Sequence, residues 1–254
     1  MLNNFIRKKG PATISIGVFI LIWHLISSNY FEPAFFPTPT MVLKAAWKLS
    51  VNGELSEHIT ESLRRIYIGF VFGSLLAIPI GLVMGGSKII NSSLDPFVQF
   101  FRFVPAIAWL TPMVLWFGIG ETSKVIIIFY TTIFIVIVNT IAGVKNISAN
   151  KIRAASCLGA NNFQKFIYVT LPGSVPFILT GMRLAMGNSF ATVVAAEMVA
   201  AKSGLGYLIF NSRLWMATDD IFVGIIFLGG LGLLTDLIFR YAIQRFAHNY
   251  QQSN

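Results

Sequence analysis

The sequence predicts an all-α, polytopic membrane protein with about six transmembrane helices. Of its 254 residues, 55% are hydrophobic and only 11% are charged, whereas a soluble domain is usually about 25% charged. A soluble fold of this length could not cover its surface with so few charges. The polar stretches are also too short to build a separate domain. We therefore expect a single membrane domain over residues 1–254, with its core at about 60–243.

Six apolar runs predict the spans. A bilayer core of about 30 Å requires about 20 helical residues, and backbone polar groups in lipid must be satisfied within a helix. We expect spans at about 12–28, 66–85, 97–117, 125–144, 175–196 and 221–239. The first is short, is interpreted as uncleaved, and contains His24, interpreted as a packed polar contact. The third contains Pro105 and Pro112.

Two features between and within the spans indicate how helices pack. The segment 38–49 reads as a short amphipathic helix on the outer surface, with Val42, Leu43, Ala46 and Trp47 on one apolar side. Gly69 with Gly73, and Gly81 with Gly85, form GxxxG pairs. Such pairs let helix backbones approach closely in lipid, so we interpret them as packing residues.

The distribution of basic residues predicts the orientation. With six spans both termini share one side, and that side holds Arg7, Lys8, Lys9, Lys88, Lys145, Lys151, Arg153, Lys165, Arg240 and Arg245. The other side holds Lys44, Lys48, Arg64, Arg65, Lys124, Lys202 and Arg213, together with most of the acidic residues. Because basic loops favour the cytoplasm, we expect both termini there. The net charge of +9 has the same explanation, and nucleic-acid binding is not expected.

The polar stretch from Lys151 to Arg183 lies between spans four and five and would face the cytoplasm. Its residues Ala154, Ala155, Gly159 and Ala160 are small and leave one helix face bare, with Arg153 among the polar residues around them. Such a helix is poorly buried within its own chain and suits a groove on another protein; an ordinary cytosolic loop is the alternative. Gly159 would let backbone of this chain or a partner come close. Leu171-Pro172 would end this element and begin the next.

This stretch resembles the EAA loop of ATP-binding-cassette importer permeases, which reads E-A-A-x-x-x-G, nine residues, then I-x-L-P. Ala154, Ala155 and Gly159 occupy the matching positions, and Leu171 and Pro172 close the pattern at the family spacing. The departure is Arg153 where the family has Glu, a charge reversal that argues against a salt bridge there. The helix between spans four and five is thereby identified as a cytoplasmic docking helix.

The resemblance covers nearly the whole chain and is similar in detail to the nitrate, sulfonate, taurine and bicarbonate branch. The matching stretches are FPTPTMVLKAAWKL, LWFGIGE, ILTGMRLAMGNSFATVVAAEM and GLGYLI. The family implies two permease copies, two cytosolic ATP-binding subunits that each receive a docking helix, and an extracytoplasmic solute-binding protein. ATP binding would close the ATPase dimer and switch the pathway from inward-open to outward-open. The chain itself would be a transport subunit of a prokaryotic cell membrane, and not an enzyme.

Charged and polar residues within the spans suggest a pathway. Arg183 lies eight positions into the fifth span, where a charge is costly unless it faces a cavity or a partner. Asn188, Ser189 and Thr192 follow on the same helix. Either these residues line the pathway and Arg183 favours an anionic substrate, or Arg183 is a structural partner of a carboxylate or carbonyl.

Four further charged residues have simpler explanations. Asp236 and Arg240, four apart on the last span, are expected to pair with each other. Glu197 ends the fifth span, where we expect it to be solvated. Arg102 lies near the start of the third span, and its charged end is expected to reach the membrane surface.

No catalytic or metal-binding pattern is present in the sequence. A Walker A motif is missing, and His24, His58 and His248 are too far apart for an HExxH site. The single cysteine, Cys157, has no CxxC partner, so neither a metal nor a cofactor is expected. Two function classes remain beside the importer of a small anion: an importer of a vitamin precursor such as a pyrimidine, and an autonomous secondary carrier or channel. A membrane enzyme is disfavoured.

Overall fold

The computed structural model describes the backbone of residues 2–251, and their side chains except at 2–13, 200, 242 and 245–251. This part of the chain forms eleven α-helices and no strand. They are α1 Leu2–Tyr30, α2 Pro39–Val51, α3 Glu54–Gly86, α4 Lys88–Phe103, α5 Leu110–Phe117, α6 Glu121–Lys145, α7 Ala149–Cys157, α8 Asn162–Lys165, α9 Leu171–Ala200, α10 Leu205–Leu214 and α11 Thr218–Gln251. A 3₁₀ turn, Ala106–Trp109, joins α4 to α5, and a π turn, Phe166–Thr170, joins α8 to α9.

Four of the described helices are long and apolar enough to cross a membrane. They are α3, α6, α11 and the continuous helical run Asn162–Val199 that contains α9. The bent pair of α4 and α5 makes a fifth span if its halves are counted together. The expected first span corresponds to a shorter apolar helix, Ile14–Tyr30, within α1. All-helical, multi-span architecture is therefore confirmed.

The third expected span, at about 97–117, is not one continuous helix but a broken and bent pair. The chain leaves the helix at Val104, which is extended, and the two halves meet at 90°. Proline at 105 has no N–H to continue the helix and disfavours helical geometry in the residue before it. The Phe101 carbonyl just before the break accepts twice, from the Val104 N–H at 3.1 Å and from the hydroxyl of Tyr130 on α6 at 2.5 Å.

Glycines on α3 form a close seam with α6, as the GxxxG spacing predicts. A Cβ added to Gly69, Gly73, Gly81 or Gly85 would come within 2.6–2.8 Å of the Cβ of Ile128, Thr132, Thr140 or Val144, respectively. The partner numbers rise together in steps of four or eight, so the two helices run parallel and in register. The packing interpretation of these glycines is confirmed.

The same logic joins α6 to α9. A Cβ at Gly143 would lie 2.7 Å from that of Phe177, and one at Gly181 would lie 2.6 Å from that of Asn139. Helix α6 therefore lies between α3 and α9, and the largest buried cluster draws side chains from all three. The loop between α6 and α9 is therefore attached at both ends to this packed unit.

The outer connector α2 is helical, but its buried face differs from the expected one. Val42, Ala45 and Leu49 are buried, and they pack in a cluster with Leu55 of α3 and Leu205 of α10. Leu43 and Trp47, expected on the same side as Val42, are exposed. Apolar residues occur on two sides of this helix, and the sequence alone did not show which side the rest of the chain covers.

Candidate coupling loop and translocation pathway

The loop between α6 and α9 folds into a helix with well-defined ends. Ser148 caps the start of α7, where its hydroxyl accepts from the Asn150 N–H at 3.3 Å. At the other end the Gly159 N–H donates to the Ser156 carbonyl and the Ala160 N–H to the Ala155 carbonyl, both at 3.0 Å. This pair of bonds is a Schellman motif, with Gly159 in the left-handed region at φ +80°.

That geometry revises the role of Gly159 within the chain. A Cβ at this position would meet nothing within 4 Å, so close approach inside the protomer is not what requires glycine there. Glycine is required there by the positive φ, because L-residues with a Cβ are strained in that region. Gly159 therefore ends α7 and turns the chain into α8.

Helix α8 is also capped, by a reciprocal pair. The Asn161 side chain accepts from the Gln164 N–H and the Gln164 side chain accepts from the Asn161 N–H, both at 2.8 Å. Lys165 then reaches Ser156 of α7 at 3.4 Å. The loop thus consists of two short helices joined by a tight turn, and hydrogen bonds within the loop hold it together.

Despite this internal order, the loop leaves apolar side chains exposed. No residue of α7 is buried, and Leu158 is 89%, Phe163 72% and Tyr168 76% exposed. A groove of about 830 Å³ opens beside α7, and its walls include Ala154, Ala155, Leu158, Tyr168 and Pro172. The structure therefore brings Ala154, Ala155 and Pro172 together along one groove. Arg153 and Gly159 are exposed, and Ala160 and Leu171 are partly buried.

We predicted that one element ends and the next begins at Leu171-Pro172, but the chain does not break there. It stays helical from Asn162 through α9, with the π turn just before Pro172. A proline lacks the N–H for an intrahelical bond and its ring crowds the carbonyl four residues earlier. The wider π turn accommodates both effects without ending the helix. The loop is consequently joined to α9 by continuous helix.

Arg183 of α9 pairs with a carboxylate on another span. Its Nε lies 2.5 Å from Asp236 Oδ1, and its Nη2 lies 3.0 Å from Asp236 Oδ2. Arg240 reaches the same carboxylate at 3.2 Å. The expected pairing of Asp236 with Arg240 is therefore present, but Arg183 is the closer, two-point partner. The three groups leave one positive charge in excess, with the Arg183 side chain 34% exposed.

The other three predicted pathway residues do not share one environment. Asn188 is exposed on the surface of α9. Ser189 and Thr192 are buried inside the protomer, where Ser189 lies 3.4 Å from Thr132 of α6 and Thr192 donates to the Asn188 carbonyl at 3.0 Å. Among the four predicted pathway residues, only Asn188 and the partly exposed Arg183 reach the surface of the protomer.

A buried ion network at the opposite end of the helices was missed by sequence reasoning. Arg65 of α3 is only 1% exposed. Its guanidinium contacts Glu121 of α6 at 2.6 and 2.9 Å and Glu197 of α9 at 2.7 Å, and also donates to the Ser203 carbonyl at 2.7 Å. Lys124, likewise buried, contacts Glu121 at 2.7 Å. The network ties together α3, α6 and α9 at the end opposite the α7–α8 loop.

Glu197 is buried in this network, at 1% exposure, so the expectation that it is solvated was wrong. Both of its oxygens accept from the Ser62 hydroxyl, at 2.8 and 2.9 Å, and one accepts from the Gly206 N–H at 2.8 Å. A Cβ at Gly204 would come within 2.4 Å of its carboxylate oxygens. The available signal was the G-L-G run next to a span end, which permits backbone to close over a carboxylate.

Two further side chains show why single residues in the sequence are hard to place. His24 is exposed, and not packed as expected. Arg102 is exposed, with its guanidinium carbon 4.8 Å from the centre of the Phe103 ring. Among the residues that the structure describes, no group of three or more His, Cys, Asp or Glu side chains could hold a metal ion.

Comparison with known proteins shows the family. The model of the binding-protein-dependent transport system inner membrane component matches residues 71–248. The chain belongs to this family. Its match includes α7, the π turn and α9, so the whole candidate coupling loop lies inside the family domain. The resemblance drawn from the loop motif is confirmed.

Curated relatives span nearly the full chain. A probable ABC transporter permease of Brucella melitensis is 40% identical over 96% of this chain and 98% of its own length. The taurine transport system permease of Escherichia coli is 37% identical over 92% and 88%, respectively. The nitrate import permease of Leptolyngbya laminosa is 29% identical over 99% and 92%.

Solved structures share the fold. The methionine ABC transporter in an inward-facing conformation matches with a TM-score of 0.67 at 16% identity, over 73% of this chain and 93% of that one. A bacterial alginate ABC transporter matches with a TM-score of 0.60 at 15% identity, over 97% of each chain. At these identities the likeness concerns the arrangement of helices alone.

Proposed function

We propose that this chain is the membrane-spanning permease subunit of an ATP-driven importer for a small anion of the sulfonate, taurine or nitrate type. The observation that carries the proposal is the capped, exposed α7–α8 loop with its open groove. A loop that is well ordered yet leaves Leu158, Phe163 and Tyr168 exposed is suited to a protein partner. On the cytoplasmic side that partner would be a separate ATP-binding subunit.

The connection of the loop to the spans supports mechanical coupling. Helix α6 leads into α7 through only three residues, and the π turn carries α8 into α9 without a break. Both α6 and α9 belong to the central packed unit. Displacement of the loop by a closing ATPase dimer would therefore move the membrane core and not an isolated hairpin.

The substrate class follows from two lines of support. Relatives of high coverage are named for taurine and nitrate, both of which carry an anionic group. In this chain the cluster of Arg183, Asp236 and Arg240 keeps one excess positive charge at a partly exposed position. An excess cation in a span favours an anion over a cation by simple electrostatics. We place Arg183 and Asn188 on the pathway.

The remaining parts of the assembly belong to the same proposal. Residues 1–254 form one domain with both termini in the cytoplasm of a prokaryotic cell. A second copy of the chain completes the pathway, and an extracytoplasmic solute-binding protein delivers the substrate. The ends of α3, α6 and α9 that carry the Arg65 network then face outward.

The test of the coupling loop uses two glycines with the same backbone strain. Gly159 and Gly53 both have φ near +80° and open space around the missing Cβ, but they lie on opposite sides of the predicted membrane. We expect Gly159→Val to abolish co-purification of the ATP-binding subunit, or to uncouple uptake from ATP hydrolysis. Gly53→Val should retain both co-purification and coupled uptake. Its backbone strain equals that of Gly159→Val, but it lies on the other side of the membrane, away from the loop.

The measurement is mild-detergent purification of the tagged chain from its native membrane, followed by mass spectrometry and uptake assays. A companion with a Walker A motif that is present with Gly53→Val and lost with Gly159→Val supports the proposal. Recovery of the chain alone, stable and active in uptake without ATP, would establish an autonomous carrier instead. Competition of uptake by taurine, nitrate and a pyrimidine then separates the substrate classes.

A further inference from the structure

Helix α2 has apolar side chains on two opposite faces. Val42, Ala45 and Leu49 are buried against the rest of the chain. On the other side Leu43 is 75%, Trp47 74% and Val51 68% exposed. These three residues are spaced four apart, so they form one continuous row along the helix. We call Leu43, Trp47 and Val51 the outer row of α2.

The outer row is bordered by two basic residues. Lys44 and Lys48 each follow a member of the row directly in sequence, and are therefore turned about 100° from it around the helix. Both are exposed. A row of Leu, Trp and Val edged by lysines is the pattern of a helix that lies in a membrane interface. Lysine ammonium groups reach the headgroups while their apolar stems stay with the lipid.

The position of α2 relative to α1 places it beside a span and not above one. The connector that follows α1 folds back along that helix: the Ser27 hydroxyl donates to the Phe36 carbonyl at 2.6 Å. One residue further on, Trp23 Nε1 donates to the Pro37 carbonyl at 3.1 Å. Pro39, at the start of α2, shares a groove with Ile20 and Leu21 of α1. Helix α2 thus begins level with apolar turns of α1.

The outer row continues an exposed apolar surface of α1. Ile20, Leu21 and Leu25 are exposed on the apolar helix Ile14–Tyr30 of α1, and exposed side chains of this kind in a membrane protein suit the acyl chains. The groove that joins them to Pro39 carries this surface onto α2. An aromatic group of Trp23, Phe36 and Phe222, with ring centres 5.6–6.3 Å apart, stands at the same level.

A soluble partner fits this surface less well than lipid does. A solute-binding protein must leave in each transport cycle, and transient interfaces are about as polar as ordinary protein surface. The outer row holds three large apolar side chains in succession and no polar one. Left in water, such a row would promote aggregation. A bilayer interface satisfies both the apolar row and the two lysines.

We propose that α2 is an interfacial anchor: its outer row inserts into the phospholipid leaflet at the outer end of the spans, and Lys44 and Lys48 contact lipid phosphates. The anchor joins α1 to α3, which begins after a link of two residues. It therefore holds the outer ends of these helices at a defined depth in the membrane.

Spin labels at single cysteines test the proposal in the full chain reconstituted into vesicles of phosphatidylcholine and phosphatidylglycerol. Cys157 is first replaced by Ser, because it is exposed and would take the label. Labels then go to Leu43→Cys and Trp47→Cys. Three references define the possible environments: Leu21→Cys for lipid, Glu57→Cys for water, and Ala45→Cys for a protein-covered site.

Collision of each label with oxygen, which concentrates in lipid, is compared with collision with a water-soluble nickel chelate. We expect the oxygen-to-nickel ratio at Leu43 and Trp47 to exceed that at Glu57 several-fold and to approach that at Leu21. A ratio like that of Glu57 would place the row in water and overturn the proposal. Low collision with both reagents, as at Ala45, would show a protein cover and overturn it as well.

A second measurement leaves the row unlabelled. Tryptophan fluorescence of the wild-type chain and of Trp47→Phe is recorded in vesicles that contain brominated phosphatidylcholine. Bromine quenches only indoles within contact distance, so the wild-type chain should lose more fluorescence than the variant. Equal losses would show that Trp47 does not touch lipid.

Discussion

The two ends of the helical core differ in which side chains they bury. At the end that we propose faces outward, Arg65, Glu197 and Lys124 are buried and their partners belong to the same chain. At the other end the α7–α8 loop keeps Arg153 exposed and leaves Leu158 and Tyr168 without cover. The end with the Arg65 network is therefore paired within one protomer, whereas the loop leaves large apolar side chains uncovered, as our proposal of a protein partner requires.

This difference indicates that the end with the ion network is rigid and that the loop is suited to coupling. A buried ion pair with all its hydrogen bonds made resists separation, because each separated charge would remain unpaired in a low dielectric. An exposed loop with capped helices can instead move as a unit without loss of internal bonds. Four substitutions sharpen the comparison, taken from the largest expected effect on stability to the smallest.

Removal of the central cation of the outer network should have the largest effect. In Arg65→Met the Glu197 carboxylate stays buried without its ion partner, and breaking a buried pair costs about 3–5 kcal/mol. Thermal unfolding of the purified protein in detergent measures the loss. Arg64→Met is the matched control, because its side chain is 49% exposed and exposed pairs contribute about 0–1 kcal/mol. Equal losses in the two variants would contradict a special role for the buried network.

The glycine seam should come next. A valine at position 73 places its Cβ 2.8 Å from that of Thr132, and overpacking of this kind costs about 1–3 kcal/mol. Gly86→Val serves as the control, because nothing lies within 4 Å of a Cβ there. The same thermal measurement applies. If Gly73→Val were as stable as Gly86→Val, α3 and α6 would not be in the close contact described.

The ion pair in the spans separates a structural role from a role in transport. We expect Arg183→Ala to insert and assemble but to lower uptake several-fold. The exchange Arg183→Asp with Asp236→Arg restores an ion pair, and we expect it to recover assembly while uptake stays low. Uptake is expected to stay low because the exchange moves the cation from α9 to α11. Full recovery of uptake in the double variant would show that the pair acts only in structure.

The smallest effect on stability is expected in the loop. Leu158→Ser should change the free energy of unfolding by less than about 0.5 kcal/mol, because the side chain is already exposed. It should nevertheless reduce the amount of ATP-binding subunit that co-purifies. Ile89→Ser, equally exposed at the start of α4, tests whether the effect belongs to α7. Reduction of binding by both variants would point to a broad surface and not to the loop.

Local spacing explains what could be predicted. The four-residue rhythm of Gly69, Gly73, Gly81 and Gly85 indicates a close helix pair whatever the partner is, because it concerns one face of one helix. The spacing of Ala154, Ala155 and Gly159 likewise identified the loop. The sequence did not show that Gly159 acts through a positive φ, since the same residue serves both close approach and left-handed turns.

Apolar length and composition therefore determined that this chain crosses a membrane, and short motifs determined its family and its loop, because both kinds of signal lie within a few turns of one helix. Tertiary structure alone decided that Arg65 meets Glu197, 132 positions away, that Arg183 meets Asp236, and that α2 turns Leu43 and Trp47 outward. Each of these depends on which helix faces come together. That is set by packing across the whole bundle, and no single segment contains the information.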